Sequence, residues 1–132
     1  MEKRARHEFR IKRVYDAPSA ADGARFLVDR LWPRGVRKET LRAAGWLKAV
    51  APSPALRVWF GHQEARWTEF CRRYRAELAA HPAAWAPLLE VIGAGDVTLL
   101  YAARDRRINH AAVLKDFLTE KTKDNQSTKE RH

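Results

Sequence analysis

The stretch Leu27-Val-Asp-Arg-Leu-Trp-Pro-Arg-Gly35 decides how this chain is read. It opens as an apolar run, carries Asp29 and Arg30 in its middle, and breaks at Trp32-Pro33-Arg34-Gly35. Extended back to Ala24, the run is apolar on both faces, which predicts a central strand from Ala24 to Trp32 covered on both sides. Pro33 removes a ladder donor and ends the pairing, and Gly35 permits a turn closed to other residues. Charges enclosed in such a run are costly unless paired, so Asp29 and Arg30 need partners. Side chains alternate along a strand. Asp29 is therefore expected on the side of Leu27 and Leu31, and Arg30 on that of Phe26, Val28 and Trp32.

Working outward, Phe9-Arg-Ile-Lys-Arg-Val-Tyr15 reads as a first strand, and Asp16-Ala-Pro-Ser-Ala-Ala-Asp-Gly23 as turn chemistry. The link between these two strands is too short for an ordinary parallel crossover, which predicts an antiparallel pair. Residues 36 to 52 are ambiguous, with a short helix expected around Trp46, Leu47 and Val50. Ser53-Pro54 supplies an N-cap and first helical position, and Gly61 lies just past the end of that helix. From Gln63 to Ala80, Trp67, Phe70, Cys71, Tyr74 and Leu78 form one apolar stripe at helical spacing. Another helix is expected from Pro82 to Ile92, with Pro87 inside it. Asp96 to Ala103 reads as a doubly apolar strand. Asn109 caps a last helix running to about Lys121. The expected fold is α/β, a small mixed sheet of three to four strands covered by four or five helices. One domain is expected over residues 1–132, with loose termini at about 1–8 and 122–132.

Composition narrows the class. At 132 residues and 45% hydrophobic, the chain can build an apolar core without staples. Its lone cysteine, Cys71, rules out an internal disulfide and favours a reducing compartment. No apolar run reaches the ~20 residues that span a bilayer, and the start lacks the apolar stretch of a secretion signal, so a cytoplasmic protein with no membrane partner is expected. A net charge of +10 points toward a phosphate-bearing partner, nucleic acid included, or toward solvated arginine-rich helix faces. A further alternative is an interaction module in which some of the tryptophans form an exposed patch for a partner or a second copy of the chain. There is no Gly-rich phosphate loop and no metal-ligand spacing of His, Cys, Asp or Glu, so no metal or nucleotide cofactor is expected.

The candidate site gathers where two strands end. Arg30 and Arg34 stand at the end of the second strand beside Trp32, and Arg104-Asp-Arg-Arg-Ile-Asn-His110 follows the third. Ligands of open α/β sheets bind outside the carboxyl ends of strands. The last helix begins near Asn109, and its N–H groups favour an anion there. Arg30, Arg34 and Arg104 would bind the anion, with Trp32 and Asn109 beside it. Asp29 and His110 are the candidate proton donor or acceptor. Each also has a plainer reading: Asp29 as half of a structural ion pair with an Arg or Lys, and His110 as a satisfied core histidine. Lys48 is a further candidate whose ammonium follows Trp46-Leu47. His62 reads foremost as part of a helix–helix turn. Cys71 belongs to the core stripe rather than to chemistry.

Several segments, taken in order, carry a resemblance. They are Arg10-Ile-Lys-Arg-Val-Tyr-Asp16, Leu27 to Gly35, Trp46-Leu-Lys-Ala-Val-Ala-Pro-Ser53, Leu56-Arg-Val-Trp-Phe-Gly-His62, Trp67 with Phe70, and Thr98-Leu-Leu-Tyr-Ala-Ala-Arg-Asp105 with Asn109-His110. Over about residues 9 to 120 the chain resembles the YeaO-like branch of the family called domain of unknown function 488. The resemblance implies a small cytoplasmic bacterial or archaeal protein with an α/β fold, and no assigned activity. The family's other branch carries Cys-His-Arg where this chain has Asn109-His-Ala111, so His110 matches and a thiol role does not transfer. YeaO-like members often carry Asp two residues before the tryptophan matching Trp46. This chain has Ala44 there, so if that carboxylate orients the matching lysine in relatives, the role is missing or displaced here.

Overall fold

In the computed structural model, which describes residues 7–130, the strands are β1 (Phe9–Arg13), β2 (Ala24–Leu27), β3 (Gly45–Trp46) and β4 (Val97–Tyr101). The helices are α1 (Lys38–Leu41), α2 (Pro54–Phe60), α3 (Trp67–Ala80), α4 (Pro82–Val91) and α5 (His110–Glu130). The α/β class and the numbers of strands and helices agree with the sequence reading. The strand order is β1-β4-β2-β3, and every neighbouring pair is parallel, so the sheet is not mixed.

The expected antiparallel pairing of β1 and β2 does not occur because β4 lies between them, with Phe9 and Ala24 both in register with Val97. The connecting segment 14–23 needs to run back along one short strand and step across β4. Ten residues reach at most about 35 Å. The return along five residues takes about 17 Å and the sideways step about 10 Å. A helix is unnecessary at that distance. The apparent shortness of the link misleads only if adjacency is assumed.

The two sheet faces differ in their cover. Phe9, Val97, Leu99 and Tyr101 are buried beneath α2–α5, against Leu56, Phe70, Tyr74, Leu78, Leu88 and Leu114 among others. On the opposite face Val14, Leu27 and Leu100 pack only under Leu41, with Val36, Trp32 and Trp46 at the margin. This thin face also carries buried polar groups. Arg25 Nη1 donates to Asp22 Oδ2 at 2.6 Å, while its Nε and Nη2 both donate to Leu41 O. Burial alone would raise the Asp22 carboxyl, but the Ser19 N–H, Lys12 and Arg25 hold it below its ordinary value.

Local signals explain most element ends. Ser53 Oγ accepts from Leu56 N, Pro54 is the first residue of α2, and Gly61 closes that helix in the left-handed region. Asn109 Oδ1 accepts from Ala112 N and so caps α5. The stripe on α3 buries Phe70, Tyr74 and Leu78, preceded by a 3-10 turn at Glu64–Arg66. Around Trp46 the expected short helix is instead strand β3 followed by a 3-10 turn at Lys48–Val50. The tail expected to be loose from Thr122 is helical as far as Glu130. Of the loose start expected at about 1–8, residues 1–6 lie outside the described residues.

Candidate functional site

Strand β2 ends at Leu27 rather than Trp32, and the reason defines the site. The parallel ladder continues for one bond, Val28 N to Leu100 O at 3.0 Å. The next rung would run from Ala102 N to Val28 O. It is absent. Ala102 N donates instead to Asp29 Oδ2 at 3.0 Å, and Val28 O is met by His110 Nε2 at 3.0 Å. A side-chain pair has replaced one backbone rung, satisfying both groups of the lost bond. The chain then bends away, so the strand alternation expected for Asp29, Arg30 and Leu31 does not apply.

Asp29 Oδ1 lies 3.3 Å from His110 Nε2, so its neighbour is a histidine in place of the Arg or Lys of the plainer reading. A carbonyl oxygen only accepts, so Nε2 carries the proton and the neutral ring keeps its lone pair on Nδ1. Both side chains are 17% exposed. Burial pushes the Asp29 carboxyl above its ordinary value, opposed by the charge of His110. Burial likewise pulls His110 below its ordinary value, opposed by Asp29.

These directions fix a pH dependence. As pH falls past 6.5, the ordinary histidine value, the unfolded chain takes up a proton that folded His110 still refuses, so stability declines. At lower pH, folded Asp29 protonates before its unfolded counterpart and returns part of that loss. Urea midpoints measured from pH 8 to 5 should therefore fall in the wild type. The fall should be shallower in His110→Gln, and an equally steep fall in both would refute the assignment.

The pair sits on the floor of a cleft of about 910 Å³ at the carboxyl ends of β2 and β4. One wall includes Ala51 and Pro52, in a segment whose neighbours anchor it. Tyr74 Oη donates to Val50 O, Arg30 Nη2 donates to Ala51 O and Pro52 O, and Ser53 donates to both oxygens of Glu77. The opposite wall is the turn from Ala102 to Asn109, where Asp105 Oδ1 accepts from Arg107 N and Ile108 N. Of the residues singled out from the sequence, Asp29, Arg30, Arg104, Asn109 and His110 line the cleft. Arg30, however, spends its guanidinium on backbone carbonyls, and its Nε is buried without a partner.

Three expected members lie elsewhere. Trp32 donates Nε1 to Val36 O and packs edge-on against Trp46 on the thin face. Arg34 is exposed, its backbone oxygen accepting from Tyr15 Oη. Lys48 stands over the Trp46 ring at 4.1 Å, a cation–π contact that needs no carboxylate at position 44.

Two residues complete the site. Arg57, on α2, lines the cleft, and its charge acts on both Asp29 and His110. Nothing in the sequence separates it from the other helix arginines. His62, read as a turn residue, also lines the cleft and has φ +58. Cys71 is partly buried, and burial pushes its thiol up, away from nucleophile chemistry. Among the described residues no group of three or more His, Cys, Asp or Glu is placed to hold a metal ion, and no helix is long and apolar enough to cross a membrane.

A parallel sheet whose strand ends open onto a cleft lined by a half-buried Asp–His pair defines a small α/β protein with a strand-end cleft. The chain belongs to the DUF488 family, for a profile described as "Inactive DUF488-N3 subclade" matches residues 8–132. It is 46% identical over 109 residues to the uncharacterized protein Rv3073c of Mycobacterium tuberculosis, covering 83% of this chain and 92% of that protein. It is 43% identical over 107 residues to the uncharacterized protein YeaO of Escherichia coli, covering 81% of this chain and 93% of that protein. The YeaO-like assignment thus stands. No solved structure matches the chain.

Proposed function

We propose that the chain binds a small anionic ligand in the strand-end cleft and holds it without transforming it. One observation carries the reading. Arg57 and Arg104 line the cleft, are exposed, and make no ion pair with a carboxylate among the described residues. A guanidinium group is well suited to a carboxylate or phosphate, and a half-enclosed setting strengthens the contact. The family description as inactive favours binding over turnover. So does Asn109, whose side chain caps a helix at the position where the other branch of the family carries a cysteine.

A second reading, contact with a nucleic-acid strand, draws on one further observation. Arg34, Arg37, Lys38, Arg42 and Lys48 are all exposed, lie within one short segment, and make no ion pair among the described residues. Glu39 is the segment's only acid.

Titration calorimetry with inorganic phosphate, and separately with oligothymidylate, tests both. Arg57→Ala and Arg104→Ala should each weaken phosphate about tenfold, the worth of one charged hydrogen bond, while leaving the melting temperature unchanged. Arg30→Ala should instead lower stability by about 1–3 kcal/mol, because it strips the donor from two carbonyls of the cleft wall. Phosphate binding that survives loss of both Arg57 and Arg104 would overturn the first reading. Oligothymidylate binding with a salt slope of about 0.7 per phosphate contact, weakened by Arg34→Ala and Arg37→Ala, would establish the second.

A further inference from the structure

The walls of the cleft say more about its occupant than its charge does, although any occupant they select rests on the anion-binding reading. Within the Asp29–His110 pair every donor is committed. The Nε2 proton goes to Val28 O, and Asp29 Oδ2 is taken by Ala102 N. Asp29 Oδ1 is sealed from solvent and faces the imidazole. One polar atom is left over. His110 Nδ1 makes no hydrogen bond among the described residues and is not among the sealed unpartnered atoms, so solvent reaches it, on a residue that lines the cleft. Its lone pair can only accept. The cleft floor therefore presents an acceptor, and the rim presents guanidinium donors.

The lips between them are apolar. Among the described residues Tyr15, Leu31 and Val58 are the exposed large hydrophobic side chains, and Leu31 and Val58, at 69% and 81%, both line this cleft. Leu31 stands in the bend after β2, and Val58 on α2 next to Arg57. Scattered exposed hydrophobics need no explanation, but two at one cleft mouth mark where an apolar surface is covered.

We propose that the ligand is an amphipathic small molecule: an N–H or O–H donor reaches His110 Nδ1, an apolar body rests against Leu31 and Val58, and a carboxylate or phosphate meets Arg57 and Arg104. Asp29 acts as a positioning residue. Val28 O accepts the Nε2 proton, and the Asp29 carboxylate 3.3 Å away favours the proton on that nitrogen, which keeps Nδ1 as the acceptor. The burial that pulls His110 below its ordinary value works in the same direction, keeping the ring neutral.

Benzoate and 3-aminobenzoate differ by one donor and serve as probes, with inorganic phosphate as the reference anion. On the wild-type chain at pH 7.5, 3-aminobenzoate should bind about tenfold tighter than benzoate. In a 15N-labelled sample His110 Nδ1 should resonate as an unprotonated ring nitrogen, moving upfield with 3-aminobenzoate and staying put with benzoate. Leu31→Ser with Val58→Ser, both at exposed positions, should weaken the two benzoates alike and leave phosphate untouched. If neither phosphate nor benzoate binds, the anion-binding reading itself falls. If both bind but the amino group adds less than twofold and Nδ1 does not move, or if Nδ1 is already protonated in the free protein, this inference falls alone.

Discussion

Arg25→Ala should lower the stability of the chain by about 3 kcal/mol, among the largest losses available to a single substitution outside the apolar core. Arg25 is 5% exposed and Asp22 7%, so the pair is removed from water almost entirely. Deleting the guanidinium leaves the Asp22 carboxylate enclosed and strips two donors from Leu41 O. Breaking a buried pair from one side costs about 3–5 kcal/mol. The lower figure applies because Lys12 Nζ remains 3.1 Å from Asp22 and the Ser19 N–H still reaches it. Arg25→Lys should rescue little, since an ammonium cannot bond Leu41 O twice while also reaching Asp22. Urea unfolding of the two variants decides the matter. A loss below about 1 kcal/mol would place the pair with ordinary surface ion pairs.

Gly23→Ala should be comparably damaging, for a different reason. Gly23 has φ +66, and a methyl group added there would lie 2.1 Å from Asp96 O. That oxygen is already fixed, because it accepts from Ala24 N at 3.0 Å where β2 joins the edge of β4. The strained conformation costs about 1–2 kcal/mol and the overlap about 1–3 kcal/mol more. Gly35 supplies the control. Its φ is +76, but nothing lies within 4 Å of the same added methyl. Gly35→Ala should therefore cost only the conformational part. Equal melting temperatures for the two variants would show that the approach to Asp96 carries no weight.

Both residues belong to the stretch around the step across β4, which is where the sequence is hardest to read. The apolar stripe within Gln63–Ala80, the Ser53-Pro54 start, the Gly61 stop and the Asn109 cap are local signals that the structure carries, although the α-helix itself begins at Trp67. Pairing partners are not local. Nothing within residues 9–27 announces that Val97–Tyr101 will lie between the two strands, and the same ten-residue link serves either an antiparallel neighbour or a parallel one a strand away.

The site shows the same division. Asp29, Arg104, Asn109 and His110 are legible because charged or capping residues stand at ends of apolar runs. Trp32 and Arg34 are misplaced by a reading that makes β2 five residues too long. What shortens it is His110 taking Val28 O, a contact 82 residues away in sequence. Arg57 is invisible from sequence alone. A helix arginine acquires meaning only when a cleft opens beside it.

The borders of the sheet carry one more consequence. On one side the outermost strand, β3, spans only Gly45 and Trp46. On the other, β1 carries Arg10, Lys12 and Arg13, whose cations engage Asp96, Asp22 and the carbonyls of Ala102 and Ala103. A foreign β-segment seeking to lengthen the array finds too little backbone at the first border and a fence of charge at the second. Recognition by strand annexation is thereby discouraged, and whatever associates with this chain has to do so through side chains and hollows.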